Sequence, residues 1–296
     1  MERALEGVFK YLDPKRIDVL ANLLIRFSQP SSMNDSLEFK WPTTGVEEPK
    51  KLAMRFKEKL RPKALAAIPV EKRERMDAAC GLPGFAEQWV EINLDDIAAR
   101  ASADRNLRHK EIALKTFRKL DVNYGILSLS ENPVEVRMWG HYADGGRGFL
   151  IEFDPTHSWF HAMRNPDDGF NELTKVEYVP TRPARNLLDV KDEVLYTKSE
   201  SWAYEQEWRM VRNFNAASKN LDITDAYGNE ILVFAIPPDA IKSVIVGYNS
   251  RTEFNDKVRS ILKSSKQLGH VKLKGASQSL ETGQISIVSS IETLAI

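Results

Sequence analysis

Hydrophobic and polar positions follow two different periods along this chain, and the changes of period divide it into three stretches. Near the N-terminus, short apolar runs at residues 8–11 and 24–27 predict two strands, with a short helix over 15–22 between them. From about residue 45 to residue 120 the period is helical, and Lys, Arg, Glu, Ala and Leu dominate. Strand patterns return after that stretch. The pattern predicts an α+β fold in which residues 45–120 form a helical insertion or lobe within a single domain spanning 1–296.

The stretch from Tyr124 to Asp154 carries the densest pattern. Residues 125–130 alternate as a strand, and from Val134 onward the apolar positions lie four apart, as on one face of a helix. Residues 144–146, Asp-Gly-Gly, suit a turn with positive φ, and a second strand follows. We therefore expect a strand, a short helix, a tight turn and a strand in that order.

The remaining chain predicts further strands and helices, with a different character in each part. Residues 94–120 read as one long helix, and residues 192–202 as a second helix that leads into an alternating strand-like run over 204–211. A partly aromatic segment after Asp154 reads as a helix followed by a loop. The other candidates are strands at 173–178, 231–236, 243–246, 271–274 and 284–288, and a helix at 252–263.

Composition excludes several classes of protein. No apolar run approaches the roughly 20 residues that a transmembrane helix needs, and the acidic N-terminus does not resemble a signal peptide. Cys80 is the only cysteine, which excludes an internal disulfide and a cysteine-rich zinc site. The 42 Lys and Arg balance the 42 Asp and Glu, so no global charge favours nucleic acid or a membrane. We expect a cytoplasmic protein without a membrane partner; its oligomeric state is open.

Polar and aromatic side chains cluster in the central stretch. Ser128 and Ser130 lie at a predicted strand end, and Trp139, His141 and Tyr142 lie on the helix that follows. Aromatic rings beside hydroxyls suit a planar polar ligand, since rings supply stacking area and hydroxyls fix orientation. The alternative is that Trp139 and Tyr142 are core aromatics and His141 is an ordinary histidine.

A second candidate group is the pair Glu205 and Glu207. Two residues apart on a strand, both carboxylates would point the same way, and in a cleft one would hold its proton at a raised pKa. One could stabilise a developing cation while the other orients or deprotonates a nucleophile. The alternative is a pairing with Arg209 or Arg212 on an exposed strand face.

Two other features are weaker. Arg26, on the second predicted strand, is either an exposed residue in an ion pair or an anion contact near a pocket mouth. His157 and His161 lie four apart, which is possible metal spacing on a helix, but no HExxH motif and no third ligand accompanies them. We therefore expect no metal site.

Several motifs together resemble a widespread bacterial domain family of unassigned function. The resemblance extends over roughly residues 8–250, without the helical insertion. Its marks are Lys10-Tyr11, Arg26-Phe27-Ser28, Asn34-Asp35, Ser128-Leu129-Ser130, the run from Met138 to Asp154, and the run from Lys198 to Arg209.

At the level of fold, the same order of parts resembles the NAD-binding core of ADP-ribosyltransferases. That resemblance implies a split mixed β-sheet core, NAD as cofactor and substrate, a stacking role for Tyr142, and catalysis by Glu207 and Glu205. The cofactor-binding positions that it implies are Lys10, Tyr11, Arg26, Ser128, Ser130, His141 and Tyr142. One departure is that no His stands on the first strand, and Arg26 lies on the second.

The function implied by this resemblance is a glycosyltransferase-class enzyme that cleaves the nicotinamide–ribose bond of NAD, in a toxin or phage-defence role. Glu207 would stabilise the oxocarbenium-like transition state or hold the ribose 2′-hydroxyl, and Glu205 would position the acceptor. That acceptor, protein or nucleic acid, is open. Two alternatives are a metal-dependent nuclease or phosphoryl hydrolase that uses Glu205, Glu207 and Asp154, and a nucleotide-binding sensor module without chemistry.

Overall fold

The chain folds into two compact units, each described here by itself. A computed structural model describes residues 5–35, 39–161, 172–182, 184–189 and 193–289. The first unit, which we call the sheet unit, spans 1–38, 120–181 and 195–296. The second, which we call the helical unit, spans 39–119 and 182–194.

Strands and helices are given in chain order. The strands are β1 (Val8–Leu12), β2 (Leu24–Arg26), β3 (Thr43–Gly45), β4 (Tyr124–Ser130), β5 (Phe149–Phe153), β6 (Thr174–Lys175), β7 (Glu177–Val179), β8 (Arg185–Asn186), β9 (Thr197–Ser199), β10 (Glu207–Asn213), β11 (Lys219–Thr224), β12 (Glu230–Ala235), β13 (Ile241–Val246), β14 (Lys272–Gln278) and β15 (Ile285–Val288). The helices are α1 (Asp18–Asn22), α2 (Pro49–Ala66), α3 (Val70–Cys80), α4 (Phe85–Leu107), α5 (His109–Asn123), α6 (Val136–Tyr142), α7 (Glu193–Tyr196) and α8 (Thr252–Ser264). The protein is therefore of the α+β class, as the sequence predicts.

An eight-stranded sheet forms the centre of the sheet unit. Its strand order is β15-β14-β13-β5-β1-β4-β10-β6, with β13 and β14 parallel and the other pairs antiparallel, which makes the sheet mixed. The strands β5 and β13 lie in the middle of one half and are almost wholly buried, and apolar residues dominate both of their sequences. A small sheet β11-β12-β2 and a parallel pair β7-β9 complete this unit.

The shortest pairing in the interior of the large sheet is the one between β1 and β4, which we call the joint. Their paired register consists of Phe9 opposite Ser130, whereas β1 pairs with β5 along its full length and β10 pairs with β4 along its full length. Beyond the joint the two strands diverge. Ser28 then forms an isolated bridge with Ile126 of β4, and Lys10 donates a hydrogen bond from Nζ to the Ser128 carbonyl at 2.9 Å. The sheet thus opens at its centre, between two well-paired halves.

Two apolar clusters pack against the large sheet. The larger one contains residues such as Phe27, Phe153 and Val244, and the smaller one packs Trp139 of α6 against Tyr11 in an edge-to-face contact. After α6, Asp144, Gly145 and Gly146 all adopt positive φ, which confirms the predicted turn. A side chain at Gly146 would collide with the ring of Tyr248, so the turn requires glycine there.

The helical unit is built on the pairing of α2 with α4. The buried positions of α4 are four apart and form one narrow stripe, made of Ala86, Val90, Leu94, Ala98 and Ser102. The side chain of Asn106 accepts hydrogen bonds from the backbone of Val46 and Glu47, which ties the chain around β3 to α4. Charged side chains cover most of the remaining helical surface. Within the described residues, no helix has both the length and the apolar composition needed to cross a bilayer.

Three predicted elements differ in the structure. The helix predicted at 94–120 is two helices, because Arg108 leaves helical geometry between α4 and α5; no glycine or proline marks the break. The strand predicted at 173–178 divides into β6 and β7. The helix predicted at 192–202 consists of the short α7, then β9, then a 3-10 turn. The predicted helix and loop after Asp154 lie mostly outside the described residues; a 3-10 turn covers Ser158–Phe160.

Candidate functional site

A cavity of about 240 Å³ lies where β1 and β4 diverge. It lies at the end of β4, next to α6 and to residues 28–34, which follow β2. The residues around it are Phe9, Lys10, Tyr11, Ser28, Ser32, Met33, Asn34, Ile126, Ser128, Leu129, Ser130, Met138, Tyr142, Lys198, Glu205 and Glu207. The predicted site residues of β1, β4, α6 and the 205–207 segment, which are far apart in sequence, therefore meet in one place.

Three buried charged side chains in one place distinguish this cavity from two larger hollows of the described chain. A hollow of about 400 Å³ in the helical unit and one of about 770 Å³ in the sheet unit are larger. The charged side chains of the helical hollow are exposed, and Glu152 is the one buried charged residue among those that line the hollow around Trp208 and Lys175. In the cavity, by contrast, Lys198, Glu205 and Glu207 are 1–3% exposed. Buried ionisable groups in a cavity are the usual mark of a functional site.

The two glutamates share one buried lysine. Lys198, on β9, donates from Nζ to Glu205 Oε2 at 2.6 Å and to Glu207 Oε2 at 3.2 Å. The same ammonium lies 4.9 Å from the centre of the Trp202 ring. A single cation thus bridges both carboxylates, which brings two negative charges together at the cavity wall.

Arg209 completes the charge balance behind Glu207. Its Nε and Nη2 donate to Glu207 Oε1 and Oε2 at 2.7 and 2.8 Å, and its Nη1 donates to the Leu195 carbonyl at 2.7 Å. Such bidentate pairing is the strongest hydrogen-bonded arrangement of an arginine and a carboxylate. Two cations therefore face two carboxylates in a fully buried group of four, which we call the cavity cluster: Lys198, Glu205, Glu207 and Arg209.

Burial and neighbouring charges act in opposite directions on this cluster. Burial raises the pKa of Glu207 above its ordinary value, and the charge of Lys198 opposes that rise. Burial also works against the charge of Lys198, but the carboxylates of Glu207 and Glu205 more than compensate and raise the pKa of Lys198. Burial lowers the pKa of Arg209 to about 9, so its guanidinium is protonated at neutral pH.

The backbone between the glutamates is not the continuous strand that the alternating sequence predicts. Glu205 ends a 3-10 turn that spans Glu200–Glu205, and β10 begins at Glu207. Gln206, between them, is left-handed, with φ 42° and ψ 54°. The prediction of one strand over 204–211 is therefore wrong at its start. The two carboxylates still meet, but they do so at Lys198 and not by sharing a strand face.

The two serines of β4 have different surroundings. Ser130 is fully buried, and its hydroxyl donates to the Glu205 carbonyl at 2.6 Å, so it fixes the backbone of the turn. The Oγ of Ser128 is buried without a well-formed hydrogen bond in the part of the chain that is described, although it lies close enough to Glu207 to favour the charged form of that carboxyl. A ligand hydroxyl or amide could use the Ser128 hydroxyl without displacing another partner.

Residues of β1 form the opposite wall. The hydroxyl of Tyr11 donates to the Asn132 carbonyl at 2.6 Å, which leaves its ring edge on the cavity. Lys10 reaches the open edge of β4, and burial lowers the pKa of Lys10 to about 8. Among the described residues Lys10 has no carboxylate within ion-pair distance, so it is a cationic donor of the cavity that is not already neutralised.

Tyr142 links α6 to the carboxylates. Its hydroxyl donates to Glu205 Oε1 at 2.6 Å and accepts a hydrogen bond from the side chain of Asn34. Burial, followed by the charge of Glu205, raises the pKa of Tyr142, so the phenol stays neutral and acts as a donor. The helix that sequence analysis predicts from Val134 begins at Val136 and places Tyr142 at its last turn, beside the cavity.

Two predicted cofactor contacts lie outside the cavity. Arg26 pairs with Asp225 at 2.5 Å and also donates to Gln29, and it does not line the cavity wall. His141 is exposed on the outer side of α6. Of the two alternatives for Arg26, the ion pair is therefore correct, although the side chain is only 14% exposed.

The structure supplies no metal-binding arrangement in its described residues. No group of three or more His, Cys, Asp and Glu side chains there could hold an ion. His161 contacts the Pro155 carbonyl and His157 contacts Asp239, so the two histidines have separate partners. Asp154 accepts hydrogen bonds from Thr156, on the loop after β5. The carboxylates of the cavity cluster already accept hydrogen bonds from the Lys198 ammonium and the Arg209 guanidinium.

Sequence reasoning assigned no role in this site to Lys198, Tyr178 and Asn34, and it gave Arg209 only as an alternative partner of the glutamates. Lys198 and Arg209 hold the carboxylates, Tyr178 accepts a hydrogen bond from the Glu207 backbone at 2.8 Å, and Asn34 contacts Tyr142. One signal was present for Arg209: a residue two positions after Glu207 on a strand must lie on the same face. For Lys198 no local signal existed, because its pattern reads as a helix.

Comparison with known proteins finds a similarity to one family over part of the chain, and that family has no known activity. No curated protein and no solved structure matches the chain significantly. A family model described as a protein of unknown function (DUF2971) matches residues 138–210. That segment contains four of the polar residues that line the cavity, Tyr142, Lys198, Glu205 and Glu207. The predicted resemblance to a family of unassigned function is confirmed to this extent: residues 138–210 are similar to DUF2971.

Proposed function

We propose that the cavity binds NAD and that the chain cleaves the nicotinamide–ribose bond, as an ADP-ribosyltransferase-like enzyme. The observation that carries the proposal is the meeting of Glu205 and Glu207 with Tyr142 and Ser128 at the opening between β1 and β4. Breaking that bond develops positive charge on the ribose, and preorganised carboxylates stabilise such a charge most in a site that excludes water. Glu207 is the proposed electrostatic group, and Glu205 the group that orients the acceptor.

The size and charge of the cavity support a part of a dinucleotide as its occupant. About 240 Å³ is below the ~300–1,000 Å³ of typical small-molecule sites, so the cavity would enclose nicotinamide and ribose while the rest extends outward. The cavity cluster is neutral overall, and Lys10 adds a positive charge that suits a phosphate-bearing ligand. Tyr142 supplies a ring for stacking, with its hydroxyl already directed at Glu205.

The decisive experiment measures nicotinamide released from NAD by the purified full-length chain. We expect release by the wild type and a rate about 10²–10³-fold lower for Glu207→Gln, since that substitution keeps the shape and removes the charge. The matched control is Glu253→Gln on α8, where the glutamate is exposed and outside the cavity. No release by the wild type, or equal rates for the two variants, contradicts the proposal.

A binding experiment tests the cofactor separately from the chemistry. NAD should raise the melting temperature, because a ligand that binds only the folded state stabilises it. Tyr142→Ala should weaken this stabilisation by roughly 1–3 kcal/mol, the scale of a lost aromatic contact and its burial. Tyr227→Ala is the control, since Tyr227 is 68% exposed. An equal NAD-induced shift in both variants removes Tyr142 from the site.

One observation favours a second function, a nucleotide-binding module without chemistry. Both oxygens of Glu207 already accept hydrogen bonds from Arg209 and Lys198, as expected of a structural carboxylate. Such a module would bind NAD without releasing nicotinamide, and Glu207→Gln would leave the bound fraction unchanged. The two assays above therefore separate the enzyme from the module.

A further inference from the structure

Lys198 is the most deeply buried lysine that contacts the cavity, and it contacts both carboxylates. Its residue surface is 1% exposed, and two of the three donors of its ammonium are used on Glu205 and Glu207. It lies on β9, which is paired in parallel with β7, so its backbone is held by a ladder and not by a free loop. A long flexible side chain is thereby fixed between two acids.

Two buried carboxylates this close would not both stay ionised without a cation. Burial disfavours each charged form, and like charges disfavour each other, so one of such a pair normally takes up a proton. Arg209 neutralises Glu207 from behind and does not contact Glu205. Within the described chain, Lys198 is the cation that both carboxylates share.

We propose that Lys198 is a positioning residue that holds Glu205 and Glu207 as a doubly ionised pair directed at the cavity. The inference rests on the proposed function only for the reaction that the pair serves. In that reaction both groups must be carboxylates at once, because one faces the developing cation and the other orients the acceptor. A proton shared between them would remove one of these two roles.

All charged and titratable groups that face the pair enter the pH dependence. In the described chain they are Lys198 on β9, Arg209 on β10, Lys10 on β1, Tyr142 on α6, Tyr178 on β7 and Tyr204 in the turn before β10, and Asp35 in turn faces Arg209. Tyr142 and Tyr178 stay neutral because burial raises the pKa of each. Loss of the Lys198 ammonium leaves burial and the neighbouring carboxylate in place, and the pKa of Glu207 then rises further. The ionised pair would form only at higher pH.

The test is a carboxyl titration followed by carbon-13 NMR of glutamate-labelled full-length protein. In wild type we expect no protonated glutamate at neutral pH. In Lys198→Met a glutamate carboxyl should titrate at a pH about 1–3 units higher, the usual effect of one adjacent opposite charge. Lys175→Met is the matched control, since Lys175 forms an exposed ion pair with Glu131 at 3.0 Å outside the cavity cluster. Its titration should match wild type.

Further variants and readouts keep the result decisive. Lys198→Arg keeps the charge and should restore the wild-type titration, while Lys198→Gln replaces Met if the Met variant does not fold. A protonated glutamate in wild type at neutral pH, or superimposable titrations of the wild type and the neutral variants, overturns the inference. The pH profile of nicotinamide release should shift upward with the titration. If wild type releases no nicotinamide while the titration shifts, the proposed function fails and the role of Lys198 stands.

Discussion

Two ion clusters in this protein each contain one lysine, one arginine and two carboxylates in the same arrangement of ion pairs, but their surroundings are opposite. In the helical unit, Lys57 bridges Glu91 and Asp95 at 2.9 and 2.8 Å, and Arg61 pairs with Glu91. In the cavity cluster, Lys198 bridges Glu205 and Glu207, and Arg209 pairs with Glu207. The side chains of the helical cluster are 28–66% exposed, whereas those of the cavity cluster are 0–4% exposed.

Burial determines how much each charged group of the two clusters contributes to stability. Exposed pairs gain little, because water already solvates each ion and side-chain entropy opposes the fixed geometry. Buried charges cannot return to water, so removal of one partner leaves another uncompensated in a medium of low dielectric constant. The helical cluster is therefore dispensable one residue at a time, and the cavity cluster must be complete.

The largest expected effect is the loss of Arg209. Arg209→Met should lower the free energy of unfolding by about 3–5 kcal/mol, the usual consequence of leaving one member of a buried pair without its partner. Urea unfolding measures this loss. Arg61→Met, the equivalent change in the helical cluster, should leave the urea midpoint at the wild-type value. Comparable losses in both variants would show that burial does not distinguish the clusters.

The next prediction concerns the sign of the pH dependence. Burial raises the pKa of Glu207 in the folded protein, so its contribution to stability falls as pH rises through the folded value. Hydrogen bonds from Arg61 and Lys57 lower the pKa of Glu91, so its contribution is present above the unfolded value and is lost as pH falls. The glutamine side chain in each variant does not titrate, so each variant lacks the pH dependence of the glutamate that it replaces. The stability difference between wild type and Glu207→Gln should therefore shrink with rising pH, while that for Glu91→Gln should grow.

Urea unfolding from about pH 4 to pH 8 covers the range around the ordinary glutamate value of ~4.3. Slopes of the same sign for the two pairs of proteins would contradict the assignment of opposite shifts. The protein concentration and ionic strength are held constant so that only protonation changes.

A smaller effect is expected for the neutral partner of the cavity cluster. Tyr142→Phe removes the hydroxyl that donates to Glu205 and keeps the ring. A hydrogen bond to a charged group contributes roughly 1.5–3 kcal/mol when buried, and Tyr142 is only partly buried, so the loss should lie near or below that range. Thermal and urea unfolding measure it, and Tyr227→Phe is the exposed control. A loss no greater than in that control would show that the Tyr142 hydroxyl contributes no stability.

The smallest expected effect is that of Lys57→Met in the helical cluster. The two ion pairs of Lys57 are partly exposed and screened by salt, so the urea midpoint should remain unchanged at physiological ionic strength. Any loss seen at low salt should disappear as salt is added. A loss that persists at high salt would mean that packing of the Lys57 stem, and not its charge, stabilises α2 against α4.

The fold could be predicted where one residue type decides the local structure. Runs dominated by apolar residues predicted strands at the positions of β5 and β13, and the Asp-Gly-Gly turn after α6 was predicted from its tolerance of positive φ. The turn at Gln206 could not be predicted, because glutamine rarely adopts φ 42° and tertiary contacts impose it. The break at Arg108 between α4 and α5 is equally without a local signal.

The site residues also divide into those that the sequence pattern predicts and those that it does not. Tyr142, Ser128 and Glu207 lie on elements with clear periodicity, and their meeting follows from the order of those elements. Lys198 lies on a strand of three residues that pairs with a strand distant in sequence, so only the folded chain reveals its partners. The sequence alternative of an exposed Glu207–Arg209 pair is correct about the partner, while the pair itself is fully buried.

The single residue pair that joins β1 to β4 makes the width of the cavity its softest dimension. Each half of the sheet is a continuous ladder that resists bending, whereas between the two ladders Phe9 and Ser130 are the one described pair in register, and the Lys10 side chain adds a hydrogen bond to the Ser128 carbonyl. A rotation about this one connection would move the wall that carries Lys10 and Tyr11 relative to the wall that carries Ser128, without breaking either ladder. Amide hydrogens within β5 and β10 should then exchange slowly, while those at the joint exchange first. We therefore expect ligand binding to change the separation of the two walls more than the arrangement of side chains on each wall.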